Sequence, residues 1–246
     1  MTDFLLRGYV SPDDFSEYEG EKLQKALDVA EELDVRKVIV RGEYEAKSTI
    51  IVPPFMHLVF ENAKVIADLT SRMDKNYPNE SDKIYIEGRN AVLQGDIVLF
   101  HTRHTVIENL SINGDVSLNF TRDARLEALD ISGTLTFGRG ASKIIAQDLR
   151  LGGAIMDCTK NGEDAIGREP TIRSIVLRDA KATNGVKLIA AEDYGFLNVQ
   201  IDNIEGSVTI GKEGDTLPSQ KYYNLTIYNI KGDIIKHVDA KHATFK

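Results

Sequence analysis

Residues 157–170, Asp157-Cys158-Thr159-Lys160-Asn161-Gly162-Glu163-Asp164-Ala165-Ile166-Gly167-Arg168-Glu169-Pro170, gather four carboxylates and two cations into one short segment. Paired carboxylates are the groups of general acid–base chemistry, one kept protonated by its surroundings while the other stays ionised. Glu163 or Asp164 is expected to pair with Asp157 across the base of this segment, or with Glu192 or Asp193 in the following turn. The plainer reading is a solvated loop whose charges satisfy one another.

A second set of groups is cationic. Guanidinium forks bind carboxylates bidentately. Arg103, Arg122, Arg139 and Arg168, with His101 and His104, are therefore candidate ligand-binding residues, some of them pairing instead with Asp123, Glu163 or Glu169. His101 and His104 stand three residues apart in a tight turn without a third ligand, so no metal is expected. Gly162 and Gly167 belong to turns, the chain has no phosphate loop, and no cofactor is expected. Cys158 has no histidine in its own segment to activate it and reads as a core thiol.

The elements that must position these groups change period along the chain. Leu23, Ala26, Leu27, Ala30 and Leu33 fall at helical spacing, predicting an amphipathic helix over residues 21–34 within an N-terminal cap of residues 1–36. Residues 37–41, 48–52 and 58–60 read as strands, Pro53-Pro54 closes the second, and the polar residues 68–83 read as a loop. Glycines then recur at Gly95, Gly114, Gly133 and Gly153, spaced by 19, 19 and 20. Thr105-Val106-Ile107-Glu108-Asn109-Leu110-Ser111-Ile112-Asn113-Gly114 and Ala124-Arg125-Leu126-Glu127-Ala128-Leu129-Asp130-Ile131-Ser132-Gly133 are two copies of one unit. Looser copies precede Gly185, Gly206 and Gly232.

A unit of about twenty residues cannot bury its own apolar face and must stack on its neighbours. Two short strands per unit exclude helical repeats such as TPR or ankyrin. The expected fold is all-β: a single-stranded right-handed parallel β-helix solenoid over residues 37–246, forming one domain with the capping helix. Asn109, Asn203 and Asn229 are expected to point inward and bond along the stack. Equivalent turns must align along one edge, and that edge carries residues 101–104, 121–123, 138–142, 157–173, 192–194 and 211–220.

Composition narrows the partners. With 42% hydrophobic and 28% charged residues the chain is ordinary for a globular protein. No apolar run is long enough to span a bilayer, and the N-terminus lacks the pattern of a secretory signal, so no membrane and a cytoplasmic location are expected. One cysteine excludes an intrachain disulfide, and a net charge of −8 argues against nucleic acid. The strand over residues 233–238 has no helical cap after it, predicting a homodimer through the C-terminal end.

The entry Arg41-Gly42-Glu43-Tyr44 followed by Ile50-Ile51-Val52-Pro53 resembles that of pectin-lyase-like β-helix proteins, and the repeats resemble those of polygalacturonase-type glycoside hydrolases. The resemblance covers nearly the whole chain at the level of a superfamily fold. Asn161-Gly162-Glu163-Asp164-Ala165-Ile166 is similar to the stretch around that family's Asp-Asp pair, with Glu163 in place of the first aspartate. The family's Asn-Thr-Asp, Gly-His-Gly and Arg-x-Lys strings are absent. What the resemblance implies is a glycoside hydrolase acting on a polysaccharide or oligosaccharide, its arginines receiving uronate carboxylates. Retaining glycosidases hold their carboxyl groups about 5 to 5.5 Å apart and inverting ones about 6.5 to 9.5 Å, distances that adjacent or next-but-one repeats could supply. The alternative is a non-catalytic β-helix that binds glycan or assembles with copies of itself.

Overall fold

The computed structural model describes residues 2–72, 81–159 and 171–246. Among the described residues, 21 strands form one sheet in which every pairing is parallel, and the α-helices are Thr2–Arg7 and Lys22–Glu32. No helix among them is long and apolar enough to cross a membrane.

Strands pair in parallel with strands about one repeat away in sequence, those in the middle of the sheet on both sides and the end strands on one. One line of Cα partners runs Leu58, Ile86, Ile107, Leu126, Ala146, Leu177, Ile201 and Ile227, each 0% exposed. A second line, beginning Val52's strand Ile50–Val52 and continuing through Leu69–Ser71, Ile97–Phe100 and Val116–Asn119, supplies another inward row. Because side chains alternate across a strand, every second residue enters the core while its neighbours face outward. Most of the buried apolar side chains form one continuous cluster from Val10 to Ile227.

The expected helix is present with slightly tighter bounds. Glu21 caps Lys22–Glu32 by accepting from the Leu23 backbone N–H at 3.2 Å, and Tyr44 Oη accepts from the same N–H at 2.9 Å. Leu23, Ala26, Leu27 and Ala30 are buried in the cluster that also holds Val38 and Ile50, so the helix covers the start of the sheet.

The glycine period has a steric origin. A Cβ on Gly114 would lie 2.2 Å from the Gly95 carbonyl oxygen, and one on Gly152 2.2 Å from the Ser132 oxygen. Gly152, not Gly153, is thus the tight member of the fourth repeat, which restores the spacing of 19 from Gly133. The register shift between Ile131 and Thr134 explains the displacement seen in the sequence. Beside the glycines runs a file of aspartates: Asp68 Oδ1 accepts from the Asp96 N–H (2.9 Å), Asp96 Oδ1 from Asp115 N–H (2.7 Å) and Asp115 Oδ1 from Thr134 N–H (2.7 Å).

The asparagines behave differently from expectation. Asn90, Asn109, Ala128, Asp148, Asp179, Asn203 and Asn229 occupy equivalent corners, all left-handed with φ between 50° and 56°. Asn and Asp tolerate this conformation because their short polar side chains bond locally. The corner turns Asn109, Asn203 and Asn229 outward to solvent, and the following apolar residue, such as Leu110 or Ile204, inward. Bonding along the stack survives on the surface: Asn203 Nδ2 donates to Asp179 Oδ1 (2.7 Å) and Asn229 Nδ2 to Asp202 Oδ1 (3.0 Å).

Ala128 is the misfit of this column, since a left-handed alanine costs roughly 1 kcal/mol. Ala128→Asn is expected to raise stability by about 0.5–1 kcal/mol, read as a higher urea midpoint. An unchanged or lower midpoint would count against the corner geometry.

At the far end, Ile234–Lys236 pairs with Val208–Ile210 and Ala243–Phe245 with Leu225–Ile227. Lys236 Nζ lies 3.4 Å from the Phe245 ring centroid.

Candidate functional site

The turn edge expected to carry ligand groups takes shape only in part. Asp82, Arg103, Arg122, Ser142 and Arg173 are successive Cα partners, so Arg103 and Arg122 do stack, and Arg173 joins them beyond Ser142. Arg103 grips Asp82 with both arms, Nε to Oδ1 at 3.2 Å and Nη2 to Oδ2 at 2.8 Å, and His104 Nδ1 meets Asp82 Oδ1 at 2.9 Å. Arg103, with a smaller share from His104, holds the Asp82 carboxyl below its ordinary value. His101 is buried, its ring stacked on Phe120 with centroids 4.8 Å apart. Arg139 leaves the column and lies over the Tyr194 ring at 5.1 Å.

Of the carboxylates expected to act as acid and base, Asp157, Glu192 and Asp193 fall within the described residues, and Asp157 is the Cα partner of Ile189 in the strand that leads to Glu192 and Asp193. Asp157 ends the strand Ser142–Asp157 and is 7% exposed, its Oδ1 accepting from Thr159 N–H (2.7 Å) and Oγ1 (2.6 Å). Glu192 and Asp193 are exposed in the turn before Phe196. Glu163, Asp164 and Arg168 lie outside the described residues. Beside Asp157, Cys158 donates its thiol to the Gly195 oxygen at 3.3 Å, and burial pushes that thiol up to about 12, leaving it inert at neutral pH.

Two shallow hollows among the described residues lie along the left-handed corners. One hollow of about 440 Å³ is lined by Asp148, Leu149, Arg150, Asp179, Ala180, Lys181, Asn203, Glu205 and Lys231. A second of about 340 Å³ is lined by Asn109, Leu110, Ser111, Ala128, Leu129, Asp130, Asp148 and Arg150. They share Asp148 and Arg150, so the two form one groove running across the repeats.

Strand register builds its walls. Asp130, Arg150, Lys181, Glu205 and Lys231 are successive Cα partners and make one wall. The outward corner residues Asp148, Asp179 and Asn203 make the other. The inward-turning Leu110, Leu129, Leu149 and Ala180 form the floor, and Ala180 stands in register with Leu149 and Ile204. Lys181 Nζ pairs with Glu205 Oε1 at 2.6 Å and holds that carboxyl low.

Of the groove residues, the sequence marks Asn109 and Asn203, and those as structural asparagines rather than as ligand groups. The groove's signal is the corner position, one residue after the aligned Glu108 and Glu127. Those two glutamates mark a further missed feature. Glu87, Glu108 and Glu127 are successive Cα partners on the flat outer face. His57 Nε2 contacts Glu87 Oε2 at 2.9 Å, Tyr85 Oη donates to Glu108 Oε1 at 2.5 Å, and Gln147 Nε2 to Glu127 Oε1 at 2.8 Å. Arg89 also pairs with Glu87, through Nε to Oε1 at 2.5 Å. Each carboxylate in this file is thus occupied within the fold.

That network sets a pH dependence. Burial lowers the His57 imidazole from its ordinary 6.5 despite the opposing pull of Glu87. Arg89, then His57, lowers the Glu87 carboxyl from 4.5. In both cases the unfolded chain binds more protons, so stability falls on acidification, first below the ordinary histidine value and then below the carboxylate value. The urea midpoint is expected to drop between about pH 7.5 and about pH 5.5, and His57→Gln should flatten that step. An equal step in the variant would remove His57 from the account.

No protein-family model, curated protein or solved structure matches this chain.

Proposed function

We propose that the chain is a right-handed parallel β-helix capped by the helix Lys22–Glu32, and that it binds an extended oligosaccharide or polysaccharide along the corner groove without cleaving it. Strands paired only with their counterparts one repeat away support the solenoid, and the general preference of parallel crossovers supports its hand. The observation that carries the binding reading is the continuity of the two hollows through Asp148 and Arg150. With repeats about 4.8 Å apart, the five steps from Ser111 to Lys231 span about 24 Å, a length suited to a chain rather than a single small molecule.

The non-catalytic part rests on the carboxylates. Among the described residues, Asp157 accepts from Thr159, and the groove's own carboxylates are exposed on an open surface rather than enclosed in a cleft.

The test is a panel of immobilised glycans read for binding and for released reducing ends. Arg150→Ala is expected to weaken retention by about tenfold, the loss of one charge-assisted contact. Retention indifferent to Arg150 would remove the groove. Release of reducing ends that stops in Glu163→Gln would replace binding with hydrolysis.

A further inference from the structure

The groove sets hydrogen-bond donors and acceptors side by side, with Asp130 and Glu205 in the same file as Arg150, Lys181 and Lys231. Arg150, Lys181 and Lys231 can only donate, whereas the ionised corner carboxylates Asp148 and Asp179 can only accept. A hydroxyl does both. A chain carrying hydroxyls can therefore engage both the donors and the acceptors of the groove.

The charge count points the same way. Over its length the groove sets four carboxylates, Asp130, Asp148, Asp179 and Glu205, against three cations, and Lys181 is already paired with Glu205. A row of anionic groups would meet like charges on the corner wall and gain no excess of cations in return. The net charge of −8 adds a long-range field that disfavours a polyanion. On the turn edge, Arg103 is held bidentately by Asp82.

We infer that the groove selects an uncharged, hydroxyl-rich glycan chain and discriminates against polyuronate. This rests on the groove being the binding site, and it departs from the uronate ligand implied by the polygalacturonase resemblance.

The experiment is calorimetric titration at low ionic strength with neutral hexasaccharides of the gluco-, xylo- and manno- series and with hexagalacturonate. Wild type is expected to bind at least one neutral hexasaccharide about tenfold or more tighter than hexagalacturonate, and Arg150→Ala should weaken that binding. The double variant Asp148→Asn, Asp179→Asn removes two negative charges with side chains suited to left-handed corners, so it should fold. It is expected to gain about tenfold in hexagalacturonate affinity, because two like charges facing the uronates are removed.

Hexagalacturonate binding as tight as or tighter than every neutral chain, and lost in Arg150→Ala, would overturn the ligand class while leaving the groove as the site. Failure of the double variant to gain affinity for hexagalacturonate would overturn the charge argument. Absence of any Arg150-dependent binding across the panel would overturn the groove reading and this inference together.

Discussion

Gly114→Ala is expected to cost the fold about 3 kcal/mol, seen as a large drop in urea midpoint. The added methyl would sit 2.2 Å from the Gly95 oxygen, 2.6 Å from its carbonyl carbon and 2.7 Å from Asp96 Oδ1. Two of these three atoms are backbone, so no rotamer relieves the clash. The repeats must separate locally instead. Separation strains the bonds from Gly95 N–H to the Asn113 oxygen (3.2 Å) and from Gly133 N–H to the Gly114 oxygen (3.1 Å). It also strains the Asp96 cap on Asp115, and each such bond contributes about 1 kcal/mol.

Gly214→Ala is the matched control. It has nothing within 4 Å of an added Cβ and pays only for a left-handed φ of 76°, about 1 kcal/mol. Equal losses in the two variants would mean that the repeats do not stack glycine upon glycine. In a stacked array the defect at Gly114 also interrupts nearest-neighbour coupling, so its unfolding transition should broaden.

The same glycine shows why so much of the fold was legible. Gly95, Gly114 and Gly133 face one backbone position in consecutive repeats, and only glycine fits there, so the constraint is written directly into residue type. The helix Lys22–Glu32 was legible for an equally local reason, the spacing of Leu23, Ala26, Leu27 and Ala30. Gly153 was chosen over Gly152 because a one-residue irregularity in pairing leaves no mark on composition.

The groove was harder to see. Arg150 and Lys181 are in register although 31 residues apart, and Lys181, Glu205 and Lys231 follow at 24 and 26. Those unequal spacings arise because insertions enter at the turn edge, while the groove lies at the corner where the repeats still match. A regular period exposes a column; insertions elsewhere in the unit hide it. The charged insertion itself, by contrast, stands out in the sequence. Asp157 stands among charges in the sequence, but among the described residues its carboxylate accepts from Thr159, and burial at a strand end is invisible in a list of charges.

The outward asparagines teach a related point. Asn109, Asn203 and Asn229 were recognised as a column, yet their direction depended on backbone conformation. A left-handed corner exposes the residue it contains and buries the next, which is why Leu110 and Ile204 rather than the asparagines line the interior. That single conformational feature, repeated, creates both the corner wall and the floor of the groove.

The measurement that most directly tests an extended chain lying across the repeats is the dependence of affinity on oligosaccharide length. Each repeat engaged should add about 1 kcal/mol, so lengthening a ligand from two to five engaged repeats is expected to tighten binding by about a hundredfold. The gain should then level off, because the groove ends at Lys231 after about 24 Å. Calorimetry on a series of neutral oligosaccharides from disaccharide to octasaccharide reads this directly. A steep rise followed by a plateau near the groove length is the predicted result, whereas affinity already saturated at the disaccharide would contradict the account.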